Sequence, residues 1–160
     1  MIQVSSFLWF EKEVDEAVAF YVSLIPNSAV TSGTVMPGDG PSGPDGSVKV
    51  VTFTLGGIPF TAMEAGPHDP FNDAFSISLE CDTQAEIDSI WDAILENGGR
   101  PTACGWINDR WGVRWQVAPR AMAEMMASPD RAAAARATAA MLKMVKLDLP
   151  TLEKAFRGKA

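Results

Sequence analysis

The chain has 160 residues, 47% of them hydrophobic and 21% charged, which suits a single domain able to enclose one sizeable core. Its net charge of -7 and pI near 4.6 repel phosphate backbones, and the tail cations Lys143, Lys146, Lys154, Arg157 and Lys159 are interrupted by acids, so nucleic acid is excluded as a partner. No apolar run is long enough to span a bilayer, and Met1-Ile2-Gln3-Val4 lacks the basic start and apolar stretch of a secretory signal, so a cytoplasmic protein away from the membrane is expected. Cys81 and Cys104 are too few for a disulfide framework, lack metal-ligand spacing and read as buried free thiols.

Val4 to Phe10 is apolar and aromatic and reads as a strand, followed by the polar segment Glu11 to Asp15. Ala17, Phe20, Tyr21 and Leu24 recur at helical spacing until Pro26-Asn27 ends the helix. Further strands are predicted over 29–36, over 47–55 and over 58–65, with Gly56-Gly57 turning between the last two. Gly33 to Gly46 is rich in Gly and Pro, but its three prolines remove N–H donors and a strand follows it. It therefore reads as a strand connection, or a lid over a neighbouring pocket, rather than a phosphate loop.

The second half repeats this order. Phe75, Ile77, Leu79 and Cys81 alternate with Ser76, Ser78 and Glu80, the period of a half-buried strand. Thr83 with Glu86 forms a capping-box pattern, Ile87, Ile90, Trp91, Ile94 and Leu95 form an apolar helix face, and Asn97-Gly98-Gly99 stops the helix. Residue 20 laid over residue 90 matches Phe20-Tyr21 to Ile90-Trp91 and Leu24 to Ile94, the pattern of a diverged duplication. In the last strand Trp115 and Val117 are expected on the core face, with Arg114 and Gln116 opposite.

Beyond Pro119 the chain becomes Ala- and Met-rich. Ser128-Pro129 reads as an N-cap with Pro at the first helical position, Ala134, Ala137, Met141, Met144 and Val145 mark one face, and Asp148 caps a last helix carrying Leu149, Leu152 and Phe156. The expected organisation is thus a domain over 1–119, in halves of about 1–66 and 72–119, with a helical extension over 120–160 that packs on the domain or on a second subunit.

Candidate chemistry is sparse. His68 is the sole histidine, between the halves, and suits a general base; Glu64, ending the preceding strand, is the second proton-transfer candidate. Trp106, Trp111 and Trp115 crowd into ten residues, offering both core packing and ligand stacking, and no Ser-His-Asp or Cys-His arrangement accompanies them.

The chain resembles the PhnB-like branch of the vicinal oxygen chelate (glyoxalase-like) superfamily, whose members are often labelled 3-demethylubiquinone methyltransferase-like. The resemblance is carried by Phe7-Leu8-Trp9-Phe10 before an acidic helix ending Ala19-Phe20-Tyr21, Ile25-Pro26-Asn27-Ser28, Gly66-Pro67-His68 with Phe71-Asn72-Asp73-Ala74, Cys104-Gly105-Trp106 with Asp109, and Gly112 before Trp115-Gln116-Val117. It implies an α+β fold of paired βαβββ modules with a C-terminal helical extension, a small-molecule ligand in a cleft framed by the sheets, and a homodimer. Superfamily enzymes hold a divalent cation through His, Glu or Gln. The corresponding positions here fall on Ser5 or Ser6 and near Ser76, with Glu64 and Gln116 at the other two, so no metal and no other cofactor is expected. The resemblance implies a binding wall of Phe7, Trp9 and Trp106, polar contacts from Ser76 and Gln116, and Glu64 or His68 as catalytic groups. A metal-dependent glyoxalase- or dioxygenase-like enzyme and a demethylubiquinone methyltransferase are the alternatives.

Overall fold

The computed structural model describes residues 1–158; Lys159 and Ala160, which end the expected extension, lie outside them. The chain divides into two compact units, Met1–Asp69 and Pro70–Ala160.

In the first unit β1 (Ser6–Phe10) leads into α1 (Val14–Leu24), and β2 (Ala29–Val35), β3 (Lys49–Leu55) and β4 (Ile58–Glu64) follow. The sheet order is β1-β4-β3-β2, with β1 parallel to β4 and the other pairs antiparallel. Successive side chains point to opposite faces, and the register fixes which residues share a side. Leu8 and Phe10 align with Ala62 and Glu64, while Phe53 faces Phe60, their rings 5.4 Å apart. This side carries the core, with Leu8, Phe10, Val51, Phe53 and Ala62 buried together with Val14, Ala17, Val18 and Tyr21 of α1. The helix stripe is rotated from the expected one, since Phe20 and Leu24 are only half-buried. β1 starts at Ser6 rather than Val4, because pairing begins with Ser6 opposite Phe60. Gly56 and Gly57 turn from β3 to β4 with φ of 55° and 83°, as a tight hairpin with the sheet's twist requires.

The second unit repeats the plan with β5 (Ile77–Cys81), α2 (Gln84–Glu96), β6 (Arg100–Pro101), β7 (Trp106–Asn108) and β8 (Arg114–Pro119), in the order β5-β8-β7-β6. The expected paired βαβββ modules are therefore formed, and the duplication seen in the sequence reappears as one strand order used twice. The capping box forms as read: the Thr83 hydroxyl accepts from Glu86 N–H at 3.2 Å while Glu86 accepts from Thr83 N–H at 3.0 Å. Ile87, Trp91 and Ile94 are buried; Ile90 is half-buried and Leu95 is exposed.

Three helices follow, α3 (Arg120–Ala127), α4 (Arg131–Met141) and α5 (Leu149–Arg157), and they belong to the second unit. Met122, Met125, Ala137, Leu147 and Leu152 form their shared core. Two sequence expectations are corrected here. Asp130, not Ser128, caps α4, accepting from Ala133 N–H at 2.9 Å. Ser128 instead closes α3. Asp148 caps α5 as expected, accepting from Thr151 N–H. Met144 and Val145 fall in the turn after α4, where their carbonyls accept from the N–H groups of Cys104 and Gly105 at 2.9 and 2.8 Å, and Val145 is exposed rather than part of a helix face. Gln84 ties α2 to the same extension, accepting from Leu149 N–H at 2.7 Å and donating to Leu147 O at 3.1 Å.

Candidate functional site

With one face of each sheet sealed by a helix, chemistry depends on what the other face carries. In the first unit that face begins with Phe7 and Trp9 on β1, which alternate with the buried Leu8 and Phe10 and remain 57% and 38% exposed. Phe7 aligns with Thr61 and Trp9 with Met63 on β4. The Trp9 indole donates to Gly66 O at 3.1 Å, and its ring lies 6.2 Å from that of His68. His68 Nδ1 is 2.6 Å from Asp69 O. The structure thus brings Trp9 and His68 together, with Phe7 two residues before Trp9 on the same face of β1.

Glu64 is placed differently. It shares the helix-covered side with Phe10, and its Oε2 accepts from Val14 N–H, at the first residue of α1, at 3.0 Å. Glu13, at the N-cap position, has φ of 65° and offers no side-chain cap. The Glu64 carboxylate therefore supplies the missing acceptor, where the helix dipole favours negative charge. On β4, Glu64 thus lies on the side opposite Thr61 and Met63, the partners of Phe7 and Trp9. Glu64→Ala is expected to lower the unfolding free energy by about 1 kcal/mol, and Glu64→Gln, which keeps an oxygen acceptor, by less. Urea titration of both variants checks this, and equal stability of Glu64→Ala and wild type would remove the capping role.

In the second unit the open face is carried by β7 and β8. Trp115 and Val117 are buried, as alternation requires, so Arg114 and Gln116 occupy the opposite side. Register sets Trp106 opposite Gln116 and Asn108 opposite Arg114. The Gln116 amide donates to the Ser76 hydroxyl at 2.8 Å, so Trp106, Gln116 and Ser76 are brought together.

The loop below this strip depends on a residue that sequence reasoning left without a role. Asp109 is 5% exposed and accepts from Trp111 N–H (2.9 Å), Val113 N–H (3.0 Å) and the Trp115 indole (2.9 Å). A carboxylate two residues before one amide donor and three before a glycine was the available signal, an Asx-turn pattern. Arg110 stacks over Trp111 at 4.3 Å in the same loop.

Other chemistries find less support in the side chains. Cys81 is buried, and desolvation, with the nearby Glu86 and Asp82 carboxylates, pushes its thiol up to about 11, so it stays protonated at neutral pH. Cys104 is half-buried rather than buried. The donor set does not fit a divalent cation: serines stand at two of the positions, Glu64 caps a helix, Gln116 is bonded to Ser76, and among the described residues no three His, Cys, Asp or Glu side chains converge. The strand-to-helix connections, Glu11–Glu13 and Asp82–Thr83, contain no glycine, unlike the phosphate-binding turn of Rossmann-type folds. No helix among the described residues is long and apolar enough to cross a membrane.

Comparison with known proteins places these features in a family context. The family model described as 3-demethylubiquinone-9 3-methyltransferase matches residues 2–118. The PhnB protein of Bacillus cereus is similar at 31% identity and a TM-score of 0.63, over 73% of this chain and 99% of that one. A Pseudomonas aeruginosa protein is similar at 22% identity and a TM-score of 0.52, over 74% and 98% of the two chains. The fosfomycin resistance protein FosX of Listeria monocytogenes, in complex with Mn(II) and sulfate, is similar at 19% identity and a TM-score of 0.52, over 72% and 90%. The last two likenesses are of fold. No curated protein matches the chain. The family match ends at residue 118, so α3, α4 and α5 lie beyond it.

Proposed function

The chain belongs to the 3-demethylubiquinone-9 3-methyltransferase family, the PhnB-like members of the glyoxalase-like vicinal oxygen chelate superfamily, and from that premise we propose that it is a small-molecule-binding protein that works without a divalent metal. The observation that carries this reading is the asymmetry of each sheet. One face is sealed by a helix, whereas the other carries aromatic side chains beside polar groups, the exposed Phe7 and Trp9 with His68 in the first unit and the half-buried Trp106 with Gln116 and Ser76 in the second. Ligand sites combine apolar walls with a few placed polar groups in this way. If the protein is a catalyst, His68 is the proton-transfer group, since Glu64 is engaged at α1.

The reading is tested by an NMR screen of small acids, amides and phenols against wild type, Trp9→Ala and Trp106→Ala, combined with elemental analysis of protein purified without chelator. Ligands that shift resonances of wild type and are lost in the variants are expected, with divalent metal at background. Stoichiometric metal, or ligands indifferent to both substitutions, would reject it. We also take the protein as a cytoplasmic homodimer. Support for self-association comes from edge strand β2, whose seven residues are all exposed and uncharged. Sedimentation velocity at micromolar concentration is expected to give a dimer, and a monomer would reject it.

A further inference from the structure

Arg114 stands on the open face of β8, two residues before Gln116 and across from Asn108. Its side chain is only 19% exposed, yet its one carboxylate partner among the described residues, Asp73 in the segment before β5, is 81% exposed. The pair is joined at a single N–H: Arg114 Nε donates to Asp73 Oδ1 at 2.8 Å. Nη1 donates to Gly112 O at 2.5 Å, which holds the guanidinium plane still. Nη2 has no hydrogen bond among the described residues.

This is an incomplete use of the group. A guanidinium offers a planar fork that matches a carboxylate through two parallel bonds, and such bidentate pairs are the strong ones. Asp73 engages only one prong, and as a mostly hydrated side chain it gains little from the contact. Beside the cation, Gln116 donates its amide N–H to Ser76, which leaves Oε1 as an acceptor, and Trp106 lies directly across from Gln116. Residues two apart on a strand have Cα atoms about 6.6 Å apart. The strip therefore offers, within the reach of one small molecule, a cation fork, an acceptor and an aromatic surface.

We propose that Arg114 is an anion-recognition residue and that the ligand is a small organic acid with an apolar or aromatic body, whose carboxylate displaces Asp73 from the guanidinium. Asp73 then acts as an internal stand-in for the ligand's acid group. The proposal rests on the ligand-face reading given above and narrows its chemistry.

A matched pair of probes separates the two. Benzoate and benzamide share ring and shape and differ in charge. Titration of each into wild type, Arg114→Gln and Asp73→Asn is followed through the Trp106 indole N–H resonance. Benzoate is expected to bind wild type, to weaken about tenfold or more in Arg114→Gln, and to tighten several-fold in Asp73→Asn, where the internal competitor is lost. Benzamide is expected to respond to neither substitution. Benzoate affinity unchanged in Arg114→Gln, or unchanged or weaker in Asp73→Asn, overturns the proposal. If Arg114→Gln does not fold, the Asp73→Asn arm decides alone. Benzamide binding wild type as well as benzoate sinks the acid preference but leaves the ligand face standing; silence from both probes at Trp106 sinks both.

Discussion

Replacing Asp109 with alanine is expected to lower the unfolding free energy by about 3–5 kcal/mol. The reason is the number of donors that would lose their acceptor at once. Trp111 N–H, Val113 N–H and the Trp115 indole all point at one 5%-exposed carboxylate. Each buried donor left unsatisfied costs about 1–3 kcal/mol, partly recovered where the loop relaxes towards water. Asp109→Asn keeps one carbonyl oxygen but turns the other acceptor into a donor, so about half the loss is expected. Because Trp115 is fully buried on β8, the damage should reach the sheet as well as the turn. Urea unfolding followed by tryptophan fluorescence measures both variants. A loss below about 1 kcal/mol for Asp109→Ala would show that the three donors find other partners.

The second large effect is expected at Gly105, where the extension meets the sheet. Gly105 has φ of 83°, its N–H donates to Val145 O, and its carbonyl accepts from Val117 N–H, both at 2.8 Å. A Cβ there would stand 2.8 Å from Val117 O and 3.0 Å from Leu147 Cγ and Cδ1. The left-handed conformation costs an alanine about 1–2 kcal/mol, and overpacking adds about 1–3 kcal/mol. Gly105→Ala is therefore expected to destabilise by about 2–4 kcal/mol, a drop in Tm of about 2–4 °C per kcal/mol at this chain length. Gly33→Ala serves as the control, because nothing lies within 4 Å of its Cβ position and its backbone is ordinary. Calorimetry that finds the two variants alike would remove both the clash and the strain from the account.

Much of the fold was legible because it is written in neighbouring residues. The capping box at Thr83 and Glu86, the Gly56-Gly57 turn and the alternation that buries Trp115 and Val117 each involve only a few consecutive positions. Of the candidate site, period-two alternation set Gln116 opposite the core, whereas the binding wall of Phe7, Trp9 and Trp106 came from the family resemblance. The Ser128-Pro129 start of α4 misled because a serine followed by proline fits an N-cap, while a carboxylate two residues later competes for the same role. Glu64 was harder. Apolar residues occur on both faces of β4, including Pro59 and Met63 opposite Phe60 and Ala62, so its hydrophobic pattern does not say which way the strand's last side chain turns.

By itself, the sequence determined the repeated strand-helix plan and the elements of the first half, because periodicity, caps and turn chemistry act over a single turn or hairpin; the short strands β6 and β7 and the helix α3 carry too little pattern and appear only in the structure. Only the tertiary structure decided what the lone polar groups do. Glu64 reaches a helix start 50 residues away, Gln116 a serine 40 residues away and Arg114 a carboxylate 41 residues away. Gly105 must stay bare because a turn some forty residues further along the chain closes over it. Burial and hydrogen bonding across such separations depend on strand register and helix docking, which set the role of a carboxylate or an amide without changing the local pattern around it.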